Sequence, residues 1–138
     1  MTTLLIYLTL FFATVQTEKH TLTITIHNIE SHQGTLEVGL FNNGERFMEE
    51  GQAHVGVSRE VSGSSETIVI KDLPSGNYAV SLYHDKNGNG ECDRNFLGIP
   101  KEPYAFSNNF KPKFSKPTFE DCQFELTADK AIKIELNN

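Results

Sequence analysis

The sequence has no tryptophan, only two cysteines and fewer basic than acidic residues. Lys and Arg number 12 against 18 for Asp and Glu, so the formal net charge is −6. A chain of this charge has no general electrostatic attraction to nucleic acid or to an anionic membrane, and nucleic-acid binding is not expected. The sequence also lacks a run of about 20 apolar residues, the length that a membrane-spanning helix needs.

Several patterns of catalytic sites are also missing. The histidines show neither H-x-H nor HExxH spacing, and there is no nucleophile elbow or glycine-rich phosphate loop. The composition, with 38% hydrophobic and 22% charged residues, is that of a soluble globular domain.

The N-terminal residues predict export. Residues 4–15 form an apolar run of the length found in a secretory signal, followed by small and polar residues. We therefore expect a signal peptide over residues 1–17, a single exported domain over residues 18–138 and no membrane insertion after cleavage. No Lys or Arg precedes the run, and an apolar first strand is the alternative. The domain is expected in a periplasm or outside the cell.

The two cysteines are a candidate disulfide. In an oxidising compartment Cys92 and Cys122 could pair, which would join the loop described below to a late strand. Two unpaired thiols are the alternative.

Alternation of apolar and polar residues predicts an all-β fold. Short segments with period two recur between Gly, Asn, Ser and Pro residues, and their half-polar faces favour a two-layer antiparallel β-sandwich. The string "LPSGNY" fits the tyrosine corner of immunoglobulin-like folds and also the turn of transthyretin-like sandwiches. The seven predicted strands are residues 21–29, 35–42, 54–61, 66–71, 78–84, 119–126 and 131–136.

Residues 86–118 do not follow this alternation of apolar and polar residues. They show no strand pattern but are rich in aromatic residues, so we expect a long ordered loop packed by its own side chains. Tyr104 and Phe106 could stack on a sugar or a peptide, or could simply hold the loop against the sandwich. Ser107 is expected to be a hydrogen-bonding residue of the loop rather than a nucleophile. The predicted binding residues are His84, Tyr104, Phe106, Ser107 and Asn108.

The segment "HDKNGNGECD" predicts a cation site. Its oxygen-bearing side chains fall at positions 1, 3, 5 and 9 of a calcium-type loop, with Gly90 at position 6 and a backbone carbonyl expected from position 7. Position 12 is Phe96, so the loop departs from an EF-hand and needs a remote carboxylate. Glu102 is preferred for this role over Asp121. The predicted ligands are Asp85, Asn87, Asn89, Glu91, Asp93 and Glu102.

Oxygen ligands of this kind suit Ca²⁺ better than Zn²⁺ or copper, and few carboxylates indicate low affinity. Asn87-Gly88 and Asn89-Gly90 are also strong hairpin-turn dipeptides, so a turn without metal is the alternative. His84 precedes the loop. It could bond loop backbone at the strand end, or serve as a ligand or general base beside the cation.

The chain resembles a family of small secreted bacterial proteins of unknown function. The resemblance rests on "GTLEVGLF", "LPSGNYA", "HDKNGNGECD" and "GIPKEPYAFSNN", which occur in this order. It implies a β-sandwich, export, a cation loop and no established activity, and the cysteines are not part of it. By motif position it also implies a joint loop assembly of His84, Gly98, Pro100, Glu102, Tyr104, Ser107 and Asn108.

The sequence therefore leaves two alternative functions. The first is a calcium-stabilised binding or accessory module of the cell envelope, with an envelope protein, a peptide or a glycan as its partner. The alternative is a metal-dependent hydrolase that uses His84 and Glu102 beside the cation loop.

Overall fold

The computed structural model describes residues 13–14, 16–92 and 100–138, and these form an all-β fold. Eight strands lie in two sheets, as expected for a β-sandwich. None of the helices within the described residues has the length and apolar character needed to cross a bilayer. The strands are β1 (Lys19–His27), β2 (Thr35–Phe41), β3 (Val55–Glu60), β4 (Glu66–Pro74), β5 (Gly76–Asp85), β6 (Tyr104–Phe106), β7 (Phe124–Leu126) and β8 (Lys130–Glu135).

The smaller sheet has the order β4-β1-β8. Its central strand β1 runs antiparallel to β4 and parallel to β8, with Ile24 opposite Ile68 on one side and opposite Ile132 on the other. The predicted sandwich is confirmed, although this one pair is parallel rather than antiparallel.

The larger sheet is built around β2 and β5. Its order is β3-β2-β5, and both β6 and β7 pair with the second edge of β5. Strand β6 pairs with residues 81–83 of β5, and β7 pairs with residues 76–78. Strand β5 is therefore paired on both edges at residues 81–83, and its pairing with β2 continues to its last residue, Asp85, which lies opposite Thr35.

The main core contains the apolar faces that the period-two pattern predicts. Alternate residues of a strand point to opposite faces, so one buried set from each strand meets the set from the other sheet. The core includes Leu22, Ile24, Ile26, Leu36, Val38, Leu40, Ile68, Ile70, Tyr78, Val80, Leu82 and Ile134.

The predicted corner at "LPSGNY" carries the chain from one sheet to the other. Strand β4 ends at Pro74, Ser75 makes the bend, and β5 begins at Gly76. The hydroxyl of Tyr78 donates a hydrogen bond of 2.7 Å to the carbonyl oxygen of Pro74. This is the backward hydrogen bond expected of a tyrosine corner.

A second hydrophobic cluster lies on the other face of β5. Ala79 belongs to it, whereas the neighbouring Val80 belongs to the main core. Aromatic residues from distant parts of the chain cover this face of the larger sheet. The buried members are Phe41, Phe47, Ala79, Phe106, Phe119 and Cys122.

The prediction was wrong in two places. The loop expected over residues 86–118 contains strand β6 and a 3-10 turn at Ser107–Asn109. The strand expected over residues 119–126 begins as a short helix, α1 (Phe119–Cys122), and only Phe124–Leu126 is extended. Thr118 and Asp121 form a capping box, which satisfies the first amides of the helix and explains why this segment turns.

Candidate functional site

Asp85 ends strand β5 and lies at the centre of the candidate site. Its side chain is 2% exposed. Oδ1 accepts a hydrogen bond of 3.0 Å from the backbone amide of Gly88, and Oδ2 accepts one of 2.8 Å from the amide of Gly90. The loop is therefore wrapped around this carboxylate.

The next two asparagines bond to the loop in the same manner. Oδ1 of Asn87 accepts from the amide of Asn89 at 3.2 Å, and Oδ1 of Asn89 accepts from the amide of Glu91 at 3.0 Å. These contacts are Asx turns, which fix the side chains relative to the backbone. Because carboxylate and amide oxygens have further lone pairs, the hydrogen bonds leave them able to bind a cation.

Glu102 reaches this loop from a distant part of the chain. Its side chain is 7% exposed, and Oε2 accepts a hydrogen bond of 2.7 Å from the amide of Lys86. The amide of His84 donates to the carbonyl oxygen of Pro103 at 2.8 Å, which holds the backbone of the two segments together. Asp121, the other candidate for a remote carboxylate, is exposed and accepts from the amide of Thr118 in the capping box.

The remaining predicted ligands are less defined by the structure. Glu91 is exposed. Asp93, together with Gly98 of the resemblance, lies outside the described residues. Within the part of the chain that the structure describes, no group of three or more His, Cys, Asp or Glu side chains is placed to hold a metal ion.

The electrostatic character of the site is seen at Tyr83. Its hydroxyl donates a hydrogen bond of 3.2 Å to the carbonyl oxygen of Gly90. Burial raises the pKa of Tyr83 to about 12, and the negative charges of Glu37, Asp85 and Glu102 contribute to the same shift. Nearby carboxylates thus disfavour a further negative charge at this position, as they would favour a cation.

His84 is completely buried. Its Nε2 lies 2.6 Å from the carbonyl oxygen of Gln33, and because a carbonyl only accepts, this nitrogen carries the proton. Nδ1 is buried and has no hydrogen-bond partner among the residues that the structure describes. An imidazole closed off in this way has no access to a substrate, which weighs against the predicted role as a general base.

Ser107 and Asn108 hold the chain together. Oγ of Ser107 accepts from the amide of Val80 at 2.9 Å and donates to the carbonyl oxygen of Cys122 at 2.5 Å. Nδ2 of Asn108 donates to the carbonyl oxygen of Gln123 at 2.8 Å. These contacts attach the turn after β6 to both β5 and the end of α1, and ligand binding by these side chains stays a prediction.

The two predicted aromatic contacts lie on strand β6. Tyr104 is half-buried and Phe106 is buried, and their ring centroids are 5.8 Å apart in an edge-to-face arrangement. Phe106 belongs to the second hydrophobic cluster and Tyr104 packs against it. As placed, both rings fasten the segment to the larger sheet, and stacking on a sugar or a peptide stays a prediction.

The cysteines differ in their surroundings. Cys122 is completely buried in the second hydrophobic cluster, and burial, assisted by the negative charge of Asp121, raises the pKa of its thiol to about 12. Cys92 is half-buried. The disulfide between them stays a prediction.

Gly34 is a site residue whose role the sequence did not reveal. It has φ of +75°, and a Cβ atom there would collide with the carbonyl oxygen of Asp85. The residue after it, Thr35, lies opposite Asp85 in the β2–β5 register. The sequence signals are a glycine directly before a strand and its place at the start of the motif "GTLEVGLF", and neither shows which backbone comes close.

Comparison with known proteins identifies a family whose members are uncharacterized. Residues 24–135 match the model of DUF2141, described as an uncharacterized protein conserved in bacteria. The match includes β2, β5, the Asp85 loop and Glu102. No curated protein and no solved structure matches the chain.

Proposed function

The chain belongs to the DUF2141 family of uncharacterized bacterial proteins, and we propose that it is an exported, non-catalytic module of the cell envelope stabilised by Ca²⁺. The ion binds at the loop after β5 and fastens the following segment to the sandwich. The module then presents its surface to an envelope protein, a peptide or a glycan. The ligands are Asp85, Asn87, Asn89, the backbone carbonyl of Glu91, Asp93 and Glu102.

The observation that carries the proposal is the burial of Asp85. The carboxylate of Asp85 is 2% exposed and has lost nearly all of its hydration, and the hydrogen bonds that it accepts from described residues come from neutral backbone amides. Buried charges in proteins are paired or coordinate metals. A divalent cation on the remaining lone pairs would supply the positive charge.

The position of Glu102 supports the same reading. Its carboxylate contacts the amide directly after Asp85, so two largely buried carboxylates converge on one turn of the chain. Oxygen ligands from carboxylates, amides and backbone carbonyls are the set that Ca²⁺ prefers. With three carboxylates at most, the dissociation constant should be on the order of 10⁻⁴ to 10⁻³ M, as in extracellular modules.

The hydrolase alternative receives less support. It needs a base that reaches a metal-bound water. His84 is completely buried and bonded to the carbonyl oxygen of Gln33. Nothing in its geometry opens a path from this ring to a substrate.

Calorimetry and thermal unfolding after chelation test the proposal. Calcium at ten times its dissociation constant should stabilise the fold by about 1.4 kcal/mol. For a domain of this size, that stabilisation should raise Tm by roughly 3–6 °C. Magnesium at the same concentration should have a smaller effect, because it sheds its water reluctantly.

An Asp85→Asn variant gives the matched comparison. It keeps one acceptor oxygen for the loop amides but removes the charge, so the calcium-dependent rise in Tm should disappear. Asp129→Asn removes the charge of an exposed residue that accepts from the amide of Thr21, and should leave the rise intact. If the unchanged protein shows neither heat nor a shift in Tm at millimolar calcium, the proposal is rejected.

A further inference from the structure

Residues 110–117, which we call the basic loop, combine exposed positive charge with an exposed aromatic ring. The sequence "FKPKFSKP" contains three lysines, and no Asp or Glu occurs between Glu102 and Glu120. Phe114 is 100% exposed. The other strongly exposed large hydrophobic residue in the described chain, Val69, is 49% exposed.

Both ends of the basic loop are fixed to the body of the protein. At its start, Phe110 packs partly against the second hydrophobic cluster, and its amide donates to the carbonyl oxygen of Ser107 at 3.4 Å. At its end Pro117 is buried, directly before the capping residue Thr118. Pro112 and Pro117 each lock one backbone angle, which lowers the conformational entropy that the loop loses when Phe114 binds a surface.

Full exposure of this ring has no structural benefit for the isolated chain. Single exposed apolar residues are ordinary on protein surfaces. Here, however, lysines flank the ring along the loop, all of them exposed. Aromatic rings among basic residues are typical of protein surfaces that enter the boundary between lipid headgroups and acyl chains.

We propose that the basic loop docks the protein on an anionic lipid surface. Phe114 inserts between the headgroups, and the ammonium groups of Lys111, Lys113 and Lys116 contact the lipid phosphates. Lysine suits this role because its long apolar stem can enter the apolar layer while its charge stays with the headgroups. The loop thus serves as a peripheral contact that spans nothing.

A lipid fits the loop better than an acidic protein or an acidic polymer does. The side chain of Phe114 is 100% exposed. A rigid protein partner would therefore need a pocket for this one protruding ring. A fluid lipid layer encloses a protruding ring from all sides. An acidic polymer would satisfy the lysines but offers no apolar phase to the ring.

The net charge of −6 does not prevent this docking. Exposed charges are screened over a Debye length of about 8 Å at physiological ionic strength, so the charges near the contact dominate. The closest acidic residues in sequence, Glu120 and Asp121, follow the basic loop in α1. The chain as a whole is therefore not expected to be attracted to an anionic membrane, whereas the basic loop can bind one locally.

The absence of tryptophan makes the insertion directly measurable. A Phe114→Trp variant carries a single indole, whose emission should shift to the blue when vesicles of phosphatidylglycerol and phosphatidylcholine in equal parts are added. Vesicles of phosphatidylcholine alone should leave the emission unchanged. A Val69→Trp variant, with its indole on strand β4, should show no shift with either vesicle.

Charge variants measure the contribution of the lysines. Changing Lys111, Lys113 and Lys116 to Gln should weaken binding to the anionic vesicles by on the order of a hundredfold. The matched triple variant of Lys19, Arg59 and Lys71 to Gln makes the same change in net charge with exposed residues of β1, β3 and β4, strands that do not pair with β6. Its binding should stay within about twofold of the unchanged protein, since charges far from the contact are screened.

Three results would overturn the proposal. The first is an unshifted emission from the Phe114→Trp variant with anionic vesicles. The second is an equal loss of binding in the two triple variants. The third is binding of the basic loop to polyglutamate but not to the vesicles, which would assign the loop to an acidic polymer. Calcium is omitted throughout, so these results do not depend on the loop after β5.

Discussion

The backbone amide of Lys86 donates a hydrogen bond of 2.7 Å to Oε2 of Glu102, although 16 residues separate the two in sequence. This contact places a largely buried carboxylate beside the residue that ends β5. It also joins the two ends of the segment that leaves the sandwich after β5 and returns to it as β6.

The first prediction concerns the charge of Glu102. A Glu102→Gln variant removes the charge of this side chain but keeps an oxygen that can accept from the amide of Lys86. Loss of one of the few charged ligands should weaken calcium binding by about tenfold, because ligand charge sets the affinity of such sites. Isothermal titration measures this change.

A matched variant separates the ligand role from a general effect of charge. Glu120→Gln removes one negative charge from an exposed residue of α1. It should leave calcium affinity within about twofold, since exposed charges are well screened. Equal affinities for the Glu102→Gln variant and the unchanged protein would remove Glu102 from the coordination shell.

The second prediction concerns the close approach of Gly34 to Asp85. A Gly34→Ala variant introduces a Cβ that collides with the carbonyl oxygen of Asp85, and also places alanine at φ of +75°. The left-handed conformation alone costs a non-glycine residue about 1–2 kcal/mol. With the collision added, the loss in free energy of unfolding should reach about 3 kcal/mol or more.

Gly51 isolates the effect of the backbone angle. It has φ of +72°, but no atom lies within 4 Å of the position that a Cβ would take. Urea denaturation of the Gly51→Ala variant should therefore show only the loss of about 1–2 kcal/mol. If the two variants lose equal stability, contact with Asp85 is not what requires glycine at position 34.

The strands with a clear period of two could be read from the sequence, whereas the shortest elements could not. In β1 and β2 three apolar residues alternate with polar ones, which defines both the strand and its buried face. Strand β6 and helix α1 have three and four residues, which is too few for a periodic pattern of apolar residues to be recognised. They form because partners from elsewhere satisfy them: β5 pairs with β6, and Thr118 caps α1.

The residues of the candidate site also fall into two groups, those that the sequence pattern identifies and those that only the structure identifies. Asp85, Asn87 and Asn89 are neighbours in sequence, so their spacing shows that their side chains can work together. The carboxylate of Glu102, rather than that of Asp121, lies beside the loop because the chain returns to β5. Sequence spacing alone does not show this return. Gly34 is required by a backbone contact between two strands, and no local pattern carries that information.

The third prediction concerns the buried hydroxyl of Ser107. It accepts from the amide of Val80 and donates to the carbonyl oxygen of Cys122. A Ser107→Ala variant leaves a buried amide without its partner, which should lower the free energy of unfolding by about 1–3 kcal/mol. Ser65→Ala, at an exposed position, should change it by less than about 0.5 kcal/mol. Equal urea midpoints for the two variants would contradict a structural role for Ser107.

The fourth prediction concerns the pH dependence that the buried thiol of Cys122 imposes. Its pKa is raised from 9.0 to about 12 in the folded protein. The folded state therefore holds this proton more tightly than the unfolded state does. Its contribution to stability is complete below pH 9 and is lost as pH rises towards 12. Above pH 9 the loss approaches about 1.4 kcal/mol per pH unit.

Denaturation in reductant at pH 8 and at pH 10 measures this loss. The unchanged protein should lose about 1.4 kcal/mol more than a Cys122→Ala variant between these two values, whereas tyrosine ionisation affects both proteins alike. A Cys92→Ala variant should keep the full dependence, because Cys122 is still present. Without reductant, a disulfide between Cys92 and Cys122 would leave no thiol to ionise, and the dependence should vanish. If the same pH dependence persists without reductant, the two cysteines are not bonded to each other. If the pH dependence is absent in reductant, the Cys122 thiol ionises as readily in the folded protein as in the unfolded chain.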